Sequence, residues 1–174
     1  MEFLELAQKR YSVRSFSRRP VEQEKLEKVL EAGRLAPTAT NAQPQRILVL
    51  QGQEEMNRLG QCTKFTFGAP MALVVCADKE AAWVRGCDGK NRAEIDACIV
   101  ATHMMLEAAE QGLGTTWVGV FQPELIMEHF GVPEGMVVTA VLPMGYPAED
   151  AKPSPRHADR KPLGETVFYH SFQK

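Results

Sequence analysis

Residues 93–113 read A-E-I-D-A-C-I-V-A-T-H-M-M-L-E-A-A-E-Q-G-L. At helical spacing Ile95, Cys98, Ile99, Met105, Leu106, Ala109 and Leu113 form one apolar face, and Ala97, Ala101 and Ala108 fill another. A helix apolar nearly all round belongs in an interior, so this stretch is expected to be the long central helix against which the rest packs. Gly112 and Gly114 end it, and the pattern resumes as a strand over 115–118. Asp96 and His103 share one face of this helix, and a polar stripe on a mostly buried helix reads as structural.

On either side the period alternates between helix and strand. Phe3, Leu4 and Ala7 line one face of a helix over 1–10, and Leu26, Val29, Leu30 and Gly33 do the same over 22–33. Short apolar runs bounded by Pro or Gly, R-I-L-V-L at 46–50 and M-A-L-V-V-C-A at 71–77, read as buried strands, and 136–144 makes a third. Pro123 stands where a first helical residue would, and Gly131 follows Leu125, Ile126, His129 and Phe130 as a terminator. Residues 36–45 carry two prolines and predict an extended or turning loop, and 145–165 form a long segment with four prolines. Helices and strands do not alternate strictly and no internal repeat is present, so the class is α+β. At 174 residues the chain is expected to be a single domain over 1–174.

Composition excludes several classes. Hydrophobic residues make up 44% and charged residues 24%, outside the signature of disorder. A net charge of -2 gives no global attraction for nucleic acid or anionic membrane, so neither is expected as a partner. The opening Met1-Glu2-Phe3 lacks the basic flank and apolar stretch of an export signal, and no apolar run reaches membrane-spanning length, so a cytoplasmic location is expected. Cys62, Cys76, Cys87 and Cys98 stand far apart without a C-x-x-C pair, and the histidines share no ligand spacing with them, so no metal site is expected.

Two clusters carry chemistry. In an extended segment Arg10, Ser12 and Arg14 share one side while Tyr11 and Val13 pack inward, which offers two guanidinium forks and a hydroxyl to one small anion such as a phosphate monoester. The same pattern also describes a solvated basic rim. In the loop 37–44 (P-T-A-T-N-A-Q-P), Ala39, Asn41 and Gln43 supply the small wall and amide groups that a flat heterocycle needs, although such a loop is also a common linker. G-L-G-T-T-W-V-G at 112–119 superficially suggests a dinucleotide fingerprint, but its sixth position is tryptophan and the order is helix then strand, which excludes that mechanism. No P-loop, G-x-S-x-G or H-E-x-x-H motif occurs.

Taken together, K-R-Y-S-V-R-S-F (9–16), A-P-T-A-T-N-A-Q-P-Q (36–45), G-L-G-T-T-W-V-G-V-F (112–121) and L-P-M-G-Y-P (142–147) followed by R-K-P-L-G-E-T-V-F-Y (160–169) resemble the nitroreductase family in order and spacing, over about residues 3–172. The helix I-D-A-C-I-V-A-T-H-M-M-L resembles the central helix of its compact, single-domain members. The resemblance implies an α+β sandwich with a mostly antiparallel sheet flanked by helices, an intertwined homodimer, and two FMN sites at the subunit interface. It puts Arg10, Ser12, Arg14 and Arg160 on the FMN phosphate and ribityl chain. It brings Thr38, Ala39 and Asn41 to the flavin from the other subunit, and sets Gly119 near the isoalloxazine ring.

Two positions depart from the family pattern. Ala158 stands where a lysine often accompanies the tail arginine, leaving Arg156, His157 or Lys161 to compensate, and Thr116 replaces a common cysteine at the acceptor pocket. The implied activity is electron transfer from NADH or NADPH to a small organic acceptor, a nitroaromatic, a quinone or similar, by a ping-pong scheme. Flavin N5 would carry the chemistry, without a catalytic side chain. Dehalogenation, dehydrogenation, flavin breakdown or a non-catalytic FMN sensor or carrier are the alternatives on the same scaffold.

Overall fold

The computed structural model describes residues 2–172. In chain order these form α1 (Phe3–Lys9), α2 (Gln23–Leu35), β1 (Gln45–Gln51), α3 (Gln53–Cys62), β2 (Met71–Asp78), α4 (Ala93–Glu110), β3 (Gly114–Thr115), α5 (Pro123–Phe130), β4 (Met136–Gly145) and α6 (Leu163–Thr166), with 3-10 turns at Ala39–Asn41 and Pro155–His157. The sheet runs β1-β2-β4-β3 with every neighbouring pair antiparallel. The expected α+β class and antiparallel sheet are therefore present.

Strand β2 explains why its sequence reads as an unbroken apolar run. Met71, Leu73, Val75 and Ala77 point to one side, where Leu26 and Val29 of α2 and Ala97, Val100, Ala101 and Met104 of α4 complete one core. Ala72, Val74 and Cys76 point to the other, against Met56 and Leu59 of α3, Ile126 of α5, and Val13. With helices on both faces, alternation of side-chain direction no longer produces alternation of polarity.

The long helix is α4, and it is buried along one face by Ala93, Ala97, Val100, Ala101, Met104, Met105 and Ala108. Its other face differs from the expectation of all-round burial: Ile95 is 49% exposed, and with Glu94, Cys98, Ile99 and Thr102 it lines an open apolar groove. No other part of the described chain covers that groove. Helix α1 forms as expected, yet Phe3 and Leu4 remain exposed because this short helix lies at the margin of the fold. Helix α5 starts on Pro123 and ends on Gly131, whose φ of 64° is the left-handed C-cap that glycine favours.

Two elements depart from the sequence reading. Helix α3 has no counterpart in it, since only Met56, Leu59 and Cys62 face inward from a largely polar stretch. The strand expected over 115–118 is only Gly114–Thr115, with Val118 rejoining β4 through a single bridge to Val141. The register explains the gap: Thr115 lies opposite Met144 and Val118 opposite Val141, so Thr116 falls opposite Pro143. Proline has no N–H to donate there, and the ladder breaks.

Gly114 sets the distance between β3 and the N-terminal segment. A side-chain carbon on it would collide with the Val13 side chain, itself 1% exposed. Gly114→Ala is expected to cost about 1–3 kcal/mol through overpacking, measured as a lower urea midpoint with an unchanged m-value.

Candidate functional site

The segment after α1 is extended and stitched down by backbone bonds. Val13 N–H donates to Thr115 O (3.0 Å), Ser17 N–H to Tyr146 O (2.8 Å), and Ala148 N–H returns to Ser15 O (3.1 Å). Val13 and Phe16 go inward as buried anchors. The alternation read from sequence thus holds at Val13, and Arg10, Ser12 and Arg14 are left on the accessible side, half-buried, half-buried and exposed respectively.

The tail closes on the same place. His157 Nε2 lies 2.9 Å from Gln8 O, and because a carbonyl only accepts, this nitrogen carries the proton and donates. The His157 ring also meets Tyr11 edge to face, with centroids 6.2 Å apart. These contacts bring Arg160 within electrostatic range of Arg10. Burial pushes the Arg10 guanidinium below its usual value, and the positive charge of Arg160 pushes it further the same way. Arg160 donates to Asp159 O (2.8 Å), and Arg14 to Ser12 O (3.4 Å). Among the described residues Arg10, Arg14 and Arg160 form no ion pair.

Cations that converge without a carboxylate between them favour an anion with several oxygens, and a phosphate monoester matches that donor set. Ala158 supplies no cation here. His157 does not replace it through Nε2, which is spent on holding the tail to Gln8.

The loop at 38–43 is a tight, self-bonded turn. Thr40, Asn41 and Gln43 have φ of 53°, 58° and 50°, a left-handed conformation that side chains rarely adopt. Asn41 N–H donates to Thr38 O and Ala42 N–H to Ala39 O, both at 3.0 Å, while Gln43 N–H donates to Thr38 Oγ1 at 3.0 Å. The turn is tied to α4 by Ala39 N–H, which donates to Asp96 Oδ1 at 3.0 Å. Asp96 and His103 are thus partners of other groups, since His103 Nδ1 bonds Ile99 O on its own helix at 2.9 Å.

A third region surrounds Gly119. Thr63 is buried, and its hydroxyl donates to Val120 O (2.7 Å) while accepting from Phe65 N–H (3.2 Å), which fastens 63–65 to the turn at 119–121. A side chain on Gly119 would meet only the Trp117 indole nitrogen, at 3.9 Å. Phe65, Trp117 and Val120 are exposed, and beside them lies a cavity of about 290 Å³ lined by Cys62, Thr63, Lys64, Phe65, Val120 and Phe121. Thr116 is buried and contributes nothing to this rim. A larger cavity of about 580 Å³ lies between Arg18 and Met71 and shares no residue with the three regions. Among the described residues no cluster of three or more His, Cys, Asp and Glu could hold a metal ion, and no helix is long and apolar enough to cross a membrane.

The structure brings Arg160 within electrostatic range of Arg10, with Ser12 two residues along the same extended segment, and separates these from Thr38, Ala39 and Asn41. Arg10 lines a cavity with Ala109, Gly112 and Leu113 at the end of α4, whereas Ala39 is bonded to Asp96 at its start. At 1.5 Å per residue the thirteen positions between Asp96 and Ala109 make these ends roughly 20 Å apart. Sequence reasoning missed the parts played by Asp96, Thr63 and His157. The one local signal was Asp96 among the apolar residues of α4, where Glu94 is acidic in the same first turn but not buried.

Comparison with known proteins agrees with this architecture. Residues 7–64 and 61–146 match the family model described as the Nitroreductase family. The crystal structure of a nitroreductase family protein from Clostridium difficile is 45% identical, with a TM-score of 0.92 over 98% of this chain and 99% of that one. An FMN-dependent nitroreductase from the same species is 28% identical, with a TM-score of 0.81 over 98% of this chain and 100% of the other. A protein of Archaeoglobus fulgidus that carries the names NADH dehydrogenase and NAD(P)H nitroreductase is 32% identical over 164 residues, which span 86% of this chain and 87% of its own length.

Proposed function

Because the chain belongs to the nitroreductase family, we propose that it is an FMN-dependent oxidoreductase passing electrons from NADH or NADPH to a small organic acceptor, such as a nitroaromatic or a quinone. It acts in the cytoplasm as one domain over 1–174 and as a homodimer. Arg10, Ser12, Arg14 and Arg160 hold the FMN phosphate. Thr38, Ala39 and Asn41 meet the flavin from the other subunit, and Gly119 lies near the ring. When bound, FMN supplies the hydride and electron chemistry, which leaves the protein to orient and shield the reactants. The exposed Phe65, Trp117 and Val120 offer a flat apolar wall suited to an aromatic acceptor.

The observation that carries the dimeric reading is the separation along α4. One subunit keeps its cation cluster and its small-residue loop at opposite ends of this helix. Two copies of α4 packed antiparallel about a twofold axis bring the loop of one beside the cluster of the other, and the groove along Ile95, Cys98 and Ile99 supplies an apolar face for that packing. The exposed Leu163, Val167, Phe168 and Tyr169 of the tail add apolar surface at the same kind of contact.

An anaerobic titration with NADH and NADPH tests the proposal. The bound flavin is expected to bleach with one of them, and its colour to return on adding an acceptor. Steady-state plots should then be parallel, since one flavin face serves donor and acceptor in turn. A flavin that stays yellow with both nucleotides would instead identify a sensor or carrier, and intersecting plots with a ternary complex would remove the shared-pocket scheme.

A further inference from the structure

Asp96 lies in the first turns of α4 with only 1% of its surface exposed. A buried carboxylate is costly unless it is paired or hydrogen-bonded on both oxygens. Here Oδ1 accepts one bond, from Ala39 N–H, while Oδ2 is buried without a hydrogen-bond partner. Among the described residues no cation pairs with it. As a stabiliser of the fold this is a poor arrangement, so its consequence has to be sought in what the single bond holds.

That bond ties down the start of the strained turn. The far end of the loop is secured by the sheet, where Asp78 N–H donates to Pro44 O at 2.9 Å, and the near end by Asp96. Between them Thr40, Asn41 and Gln43 are left-handed, a conformation that persists only where its surroundings over-determine it. Without an acceptor behind Ala39 the turn loses its hydrogen bond to α4.

We infer that Asp96 is a positioning residue, which acts through the Ala39 amide to hold the loop 38–43 in the shape that meets the flavin ring. This rests on the flavin reading above. Because Oδ1 alone makes the bond, an acceptor is what the site requires, and Asp96→Asn retains one while removing the buried charge. Asp96→Ala removes it. Ala39 is half-buried while Thr40, Asn41 and Gln43 beside it are exposed, so in the flavin-free protein a small shift of the loop turns the freed amide to water at little cost in stability. The cost then appears on binding, when the turn must be ordered again.

The test compares wild type, Asp96→Asn and Asp96→Ala by flavin titration, thermal unfolding and amide exchange. For Asp96→Ala, affinity for FMN and for riboflavin is expected to fall by the same factor, roughly 5-fold to 100-fold, with little change in the Tm of the flavin-free protein. Asp96→Asn should remain within about threefold of wild type. Exchange at residues 39–43 should quicken in Asp96→Ala, while Val100 and Met104 stay protected. The inference is overturned if Asp96→Ala lowers Tm but leaves both affinities intact, if FMN alone is weakened, if Asp96→Asn behaves like Asp96→Ala, or if exchange in the loop is unchanged. Should wild type bind neither flavin, the flavin reading fails on its own, and loop exchange still decides whether Asp96 holds the turn.

Discussion

Replacing Arg160 by alanine is expected to weaken FMN binding by roughly 10-fold to 150-fold, the equivalent of one hydrogen bond to a charged group at about 1.5–3 kcal/mol. Arg160 lies within electrostatic range of Arg10, whose guanidinium is pushed below its usual value by burial first and then by the Arg160 charge, so an anion between them is favoured. Loss of Arg160 relieves that repulsion in the empty protein, so the flavin-free enzyme should fold as well as wild type. Arg14→Ala should show a similar loss. Lysine at either position should recover only part of it, because it keeps the charge without the paired donors. Riboflavin has no phosphate, and its weaker affinity should be nearly the same in wild type and variants. Equal losses for riboflavin and FMN would mean that these arginines support the fold instead of reading the phosphate.

The second large effect is expected at Ile95. A lysine there is tolerated by a single subunit, because the side chain is 49% exposed. In an antiparallel pairing of two α4 helices the same lysine would be buried without a partner, at about 3–5 kcal/mol, which raises the dimer dissociation constant by roughly 150-fold to 5000-fold. Flavin affinity should fall with it, because the loop 38–43 of one subunit would no longer stand beside Arg10 of the other. Light scattering and flavin absorbance on the same sample give both readouts. A flavin-loaded monomer from either wild type or Ile95→Lys would sink the dimeric site.

These expectations differ in how far they could be reached from sequence. The Arg10-Ser12-Arg14 alternation was legible because an extended segment presents alternate residues to one side, and Val13 had to go inward. The strands at 46–50, 71–77 and 136–144 were legible for a similar reason, since each is a short apolar run between breakers. Helix α3 was not, because a helix lying on the outside of a sheet needs only Met56, Leu59 and Cys62 as inward residues. The early end of β3 depends on Pro143, whose place in the sequence is plain but whose position opposite Thr116 follows from strand register.

By itself, then, the sequence determined what local periodicity and residue chemistry can encode: an α+β chain around a long apolar helix, arginines suited to a phosphate, and a small-residue loop suited to a flat ring. Only the tertiary structure decided that Arg160 comes within electrostatic range of Arg10 while His157 bonds Gln8, that Asp96 answers a backbone amide fifty-seven residues away, and that Arg10 and the loop stand at opposite ends of α4. The physical reason is that a local pattern specifies which face of an element is apolar, while the partner of a polar group is set by packing between segments distant in the chain.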